Sequence, residues 1–190
     1  MPTGCDLTKG RGLGGCLTTI GGVKNVYFAD FGTAVTADTS SELTTFNGVA
    51  NVYKYAMKRG AGGLSETVNA SADAGTVFYT ATATLKLNKL TTEDQNELKL
   101  IAQNTLLVFV ELHEINDNGK NVIFVIGTDN GAVISAGTNS AGQAMADFNG
   151  YEWSFEANQS YPMWTVEDYT TTPMDNSTWN SGAGVTVVDS

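Results

Sequence analysis

The sequence predicts a mainly β protein, an antiparallel β-sandwich or barrel with one flanking α-helix and extended arms at both termini. Three observations predict it. Apolar and polar residues alternate strictly along several segments, as half-buried antiparallel strands require. One segment alone combines helical spacing with an N-terminal capping pattern. The two ends of the chain are rich in Gly, Ser, Thr and Asn, a composition that does not build a core by itself.

Residues 1–22 hold seven glycines and read as an arm, followed by a β core over 23–160 and a second arm over 161–190. Val23 to Phe31 (VKNVYFADF) has the aromatic and β-branched content of a strand. Thr33 to Asn47 is Ser/Thr-rich and reads as a polar connection, Val49 to Lys58 as a second strand, and Arg59 to Gly63 as a glycine-rich break. Leu64 to Ala70 is a short strand. The clearest strand runs from Thr76 to Leu87, with Val77, Tyr79, Ala81, Ala83, Leu85 and Leu87 on one face and Thr80, Thr82, Thr84 and Lys86 on the other.

The helix is expected over 91–104, where Thr92 and Gln95 form a capping-box pattern and Glu93 and Asp94 favour the positive end of the dipole. Leu98, Ile101 and Ala102 supply its buried stripe. Leu106 to Ile115 is almost wholly apolar and must be central. Asp117-Asn118-Gly119 is a hairpin turn signal with Asn121 to Ile126 as the returning strand, and Asp129-Asn130-Gly131 marks another hairpin turn. Ala132 to Ala136 and a loop over Gly137 to Ala144 lead to the last strong strand, where Tyr151, Trp153 and Phe155 face one way and Glu152, Ser154 and Glu156 the other. Beyond Pro162 the tail either stays loose or docks on a neighbour.

Charge narrows the function classes. Ten basic residues against twenty acidic ones give a net charge of −10, which argues against a protein that grips nucleic acid by displacing counterions. All ten Lys and Arg lie between Lys9 and Lys120, and Asn121 to Ser190 holds eight acids and no base. Such a surface confers solubility, repels a polyanion or meets a basic partner. No secretory apolar segment or transmembrane run is evident, so manufacture in the cytosol, without a membrane association, is expected. Cys5 and Cys16 are then most simply free thiols, although a disulfide between them is not excluded.

Candidate chemistry is thin. Gly10-Arg11-Gly12-Leu13-Gly14-Gly15 has the letters of a dinucleotide fingerprint but lacks the strand before and helix after that make it work. His113 is the sole histidine, and with two cysteines it cannot complete a four-coordinate zinc site. The two Asp-Asn-Gly segments lack the ligand spacing of a calcium loop. Glu152 and Glu156 stand roughly 13 Å apart by strand rise, too far for a glycosidase pair. No catalytic residue, cofactor or metal is therefore expected. The three tryptophans leave open a monomeric carbohydrate-binding sandwich, if Trp153, Trp164 and Trp179 form an exposed platform.

The segment YTATATLKLNKLTTEDQNELKLIAQNTLLVFVEL, two turn-linked strands, and then ADFNGYEWSFEANQSYPMW together resemble the core of a bacteriophage tail tube protein. The resemblance lies in the order of parts over roughly Tyr53 to Val166, not in any single motif. It implies a structural virion protein of the tail, assembled in the host cytoplasm, in which six copies close into a ring with a continuous inner sheet. Stacked rings would form a conduit for DNA ejection, with other tail proteins as further partners. One wet strand face is expected to line the lumen, either Thr80, Thr82, Thr84 and Lys86 or Glu152, Ser154 and Glu156. Segments 1–22, the less regular parts of 33–63, and 161–190 would serve stacking, with Trp164 and Trp179 as anchors between rings or subunits. A head decoration or tail-ring protein shares this architecture and is the nearest alternative.

Overall fold

The computed structural model describes residues 10–11, 20–32, 34–37, 41–48, 51–89, 91–176, 179–182 and 184–189. Most of the N-terminal arm, with Cys5, Cys16 and the glycine motif from Gly12 onward, lies outside the described residues. The elements are β1 (Val23–Asp30), β2 (Ala34–Ala37), β3 (Glu42–Asn47), β4 (Asn51–Ala56), β5 (Gly62–Ser71) and β6 (Thr76–Asn88), then α1 (Thr92–Gln103). After it come β7 (Leu106–Ile115), β8 (Asn121–Ile126), β9 (Val133–Ser140), β10 (Gly150–Gln159), β11 (Trp164–Val166), a 3-10 turn at Trp179–Gly182, and β12 (Thr186–Val188). Among the described residues the fold is mainly β, with two sheets and one α-helix, as the alternation and the single capped segment predict.

An eight-stranded sheet runs in the order β12-β4-β1-β7-β8-β11-β3-β2, and a four-stranded sheet in the order β5-β6-β10-β9. All pairings are antiparallel except β11 on β3 and β12 on β4. β7 explains the layering. Its residues Leu106 to Glu111 are all buried, so the eight-stranded sheet is covered on both faces. Leu106, Val108 and Val110 meet Ala81, Ala83, Leu85, Trp153 and Phe155 of the four-stranded sheet in one core. Leu107 and Phe109 face a second core with Leu43, Phe46, Val52, Met174 and Trp179.

The C-terminal segment supplies that second core, which corrects the expectation of a loose or neighbour-docked tail. β11 lies between β8 and β3, and β12 forms one edge beside β4. Trp179 is fully buried in its own chain, its ring 5.2 Å from that of Phe46 and 6.3 Å from that of Phe109. Burying about 200 Å² of indole contributes roughly 5 kcal/mol, enough to offset the ordering of several residues. Trp179 is therefore not an anchor for another subunit. The polar stretch 33–47 is also corrected, because it holds β2 and β3, and Leu43 and Phe46 of β3 are fully buried.

The helix starts as expected but is capped one residue earlier. Thr91 is the N-cap, and its hydroxyl accepts from the Asp94 backbone N–H at 3.1 Å. Asp117-Asn118-Gly119 turns the β7–β8 hairpin, with Gly119 at φ 82°. Asp129-Asn130-Gly131 is not a hairpin. It carries the chain from the eight-stranded sheet to the four-stranded one, with Gly131 at φ 75° packed so closely that a Cβ would stand 2.0 Å from Thr105 Cγ2.

One carboxylate is buried beside the second core. Glu111 is fully buried on β7 and accepts from Lys24 Nζ at 2.8 Å, Asn25 Nδ2 at 2.6 Å and the Tyr27 hydroxyl at 2.7 Å. Three donors satisfy a charge that would otherwise be costly in this position. Burial and then the Glu111 hydrogen bond raise the Tyr27 phenol well above its ordinary value. Tyr55 is pushed up to about 12, by burial first and then by the charges of Glu97 and Asp94.

Two outcomes follow from these contacts. Trp179→Ala is expected to lower stability by about 3–5 kcal/mol, read from the midpoint of denaturant unfolding. Tyr27 and Tyr55 hold their protons more tightly folded than unfolded, where a tyrosine titrates near 10. The resulting stability is complete below about pH 10 and is lost as pH rises toward 12, so the thermal midpoint should fall over that window, and less steeply in Tyr55→Phe.

Candidate functional site: a polar sheet face

The two wet stripes read from the sequence as alternatives form one surface. In the β6–β10 register Lys86 stands opposite Glu152, Thr84 opposite Ser154, Thr82 opposite Glu156 and Thr80 opposite Asn158. Directly paired residues point to the same side of a sheet, so both stripes share the outer face. β5 extends it with Ser65 and Thr67 opposite Thr82 and Thr80, and β9 with Thr138 and Ala136 opposite Glu152 and Ser154. The inner face of the same strands carries Ala81, Ala83, Leu85, Trp153, Phe155 and Ala157, all buried.

Hydroxyls and amides dominate the outer face and bond to one another. Asn69 Nδ2 donates to Thr80 Oγ1 at 2.9 Å, and the Thr80 hydroxyl donates to Asn158 Oδ1 at 2.8 Å. Lys86 is the one cation among the seven residues read as lumen candidates, and its ammonium lies 2.8 Å from Glu152 Oε1, with both side chains about half exposed. Glu156 is the remaining charge of the two stripes. The chemistry of this face is neutral to acidic and mainly hydroxyl and amide, with exposed Phe78 at its edge.

The other candidate residues fall elsewhere. Trp164 is half-buried and stacks on Tyr161, ring centroids 4.6 Å apart and planes 10° from parallel. Trp153 is buried, with its indole N–H donating to Asn139 Oδ1 at 3.1 Å, and Trp179 is buried in the second core, so neither offers a platform for a sugar. His113 is partly buried and its Nε2 has no partner among the described residues. No group of three or more His, Cys, Asp or Glu side chains gathers to hold a metal among the described residues.

One feature escaped sequence reasoning. A cleft between α1 and strands β1 and β4 is lined by Phe28, Tyr53, Tyr55, Leu100 and Ile101, with Asp30 and Glu97 at hand. Its signals are exposed apolar side chains, Leu100 on the helix side away from Leu98 and Tyr53 on β4. No protein-family model, curated protein or solved structure matches this chain.

If Lys86 and Glu152 serve only to neutralise the face, their double-mutant cycle with Ala should give a coupling below about 1 kcal/mol that shrinks further in high salt.

Proposed function

We propose that the chain is a structural subunit of a bacteriophage tail tube, which assembles with itself into stacked rings and gives DNA a conduit through their lumen. The observation that carries this reading is the merged polar face of β6 and β10, with Lys86 neutralised by Glu152. Each unpaired Lys or Arg on such a wall would bind a phosphate and add friction, whereas hydroxyls and a lone Glu156 let a polyanion slide past. The same sheet ends in β5 on one side and β9 on the other, and neither has a further strand beside it among the described residues. Open edges are an aggregation liability in a monomer and become the joining device in a ring. Sheet continuity around a closed ring would place the polar face on the inside. No described helix is long and apolar enough to cross a membrane.

Negative-stain microscopy with light scattering tests the reading, with hollow rings or tubes as the expected result and a monomer at every concentration as the result against it. DNA supplies a second test. The wild-type assembly should not retain DNA at about 150 mM salt, and Thr82→Lys with Glu156→Lys should retain it with a salt-dependent affinity, because each lysine adds a counterion-releasing contact.

A further inference from the structure

Three side chains of complementary chemistry converge from neighbouring strands of the eight-stranded sheet. Lys24 comes from β1, Glu111 from β7 and Asn121 from β8, and these strands lie side by side in the order β1-β7-β8. Two irregularities aim them at one another. Val23 stands opposite Leu112 and Asn25 opposite Glu111, so Lys24 is the extra residue of a bulge, which turns its side chain toward Glu111. The β7–β8 register shifts between Glu111 and Ile115, and Asn121 at that shift donates from Nδ2 to Leu112 O at 2.9 Å and from its backbone N–H to the Tyr169 hydroxyl at 3.0 Å. Its side-chain amide is thereby held in one orientation.

The Lys24 ammonium bridges the other two groups. Nζ lies 2.8 Å from Glu111 Oε1 and 2.9 Å from Asn121 Oδ1. The carbonyl carbon of Asn121 is at most one C=O bond, about 1.2 Å, farther from that nitrogen. Asn25 Nδ2 and the Tyr27 hydroxyl occupy Glu111 Oε2 at 2.6 and 2.7 Å, which leaves Oε1 to the lysine. Glu111 is fully buried, and so are its neighbours Tyr27 and Ile123, with Tyr169 nearly so. Passing one proton from Nζ to Oε1 would replace a charged pair in this position with a neutral amine and a neutral acid. An amine, an amide and a proton carrier held together are the parts of an amide-forming reaction.

We propose that Lys24 and Asn121 join in an isopeptide bond that the folded chain forms by itself, with Glu111 as the proton carrier. Glu111 takes a proton from the Lys24 ammonium, and the freed amine attacks Asn121 Cγ to give a tetrahedral centre with its charge on Oδ1. Glu111 then gives its proton to Nδ2 and receives the second proton of the attacking nitrogen. The Cγ–Nδ2 bond breaks, and ammonia leaves and carries the Glu111 proton into water as ammonium. One C–N bond replaces another, so nothing is oxidised or reduced and no co-reactant is needed. The Lys24 side chain is 43% exposed, which gives the ammonia a way out. Each chain reacts once, so a slow step suffices. The bond ties β1 to β8 across β7 and links residues 97 positions apart, a constraint on the unfolded chain of the kind a long-loop disulfide imposes. It concerns the single chain and does not rest on the tube reading.

Mass measurement and peptide mapping of the denatured full chain test it. Wild type kept folded at neutral pH should weigh about 17 Da less than its sequence through loss of ammonia, and a digest should yield a branched peptide joining Lys24 to Asn121. Lys24→Arg keeps the charge pair without the amine, and Glu111→Gln removes the proton carrier while keeping its shape. Both variants should show their full sequence mass and no branched peptide. Wild type at full mass overturns the proposal. The same loss without the branched peptide also overturns it, because a succinimide at an Asn-Gly turn such as Asn118-Gly119 sheds ammonia too. A branched peptide that forms equally well in Glu111→Gln overturns the role given to Glu111.

Discussion

The architecture depends on covering β7 twice. Six consecutive buried residues, Leu106 to Glu111, alternate between two cores, and neither face tolerates water. The four-stranded sheet shields one side with Leu85, Trp153 and Phe155. The C-terminal segment shields the other with Met174 and Trp179. A sandwich with only its first two layers would leave Phe46 and Phe109 exposed, so the last part of the chain is a third layer and not an appendage. Glu111 marks where this second core meets a polar margin, and Lys24, Asn25 and Tyr27 hold its charge there.

How much of this was legible in the sequence depended on period. β6 and β10 alternate cleanly, and both were read with the correct faces because a period of two over ten residues leaves no other arrangement. α1 was found from its cap and stripe, with an error of one residue in which threonine caps it. β3 was missed because Leu43 and Phe46 are spaced by three and surrounded by Thr, so no alternation was visible. The tail was misread for a related reason. Its composition is that of a loop, and one buried indole placed by tertiary contact decides its fate.

The candidate face was half legible. Each stripe could be seen along its own strand, but which strands are neighbours is not written in local pattern. Only the register of Lys86 with Glu152 and of Thr82 with Glu156 shows that the two are one surface. That pairing also neutralises the one lysine of the two stripes, whose charge is met at 2.8 Å by a carboxylate on the next strand. The Asp129-Asn130-Gly131 turn taught the opposite lesson, because the same three letters that make a hairpin at 117–119 make a change of sheet here.

The third layer also orders events in time. Trp179 and β12 are translated after every strand they cover, so a nascent chain can close the core between the sheets while Phe46, Val52 and Phe109 still wait for their lid. Until residues 179–188 emerge, β4 lacks its outer neighbour and the eight-stranded sheet has an open apolar face. A chain without residues 179–188 is thus marked by exposed aromatic surface, the signature that chaperones and proteases act on. Emergence of this segment and closure of the second core are coupled through a single buried indole.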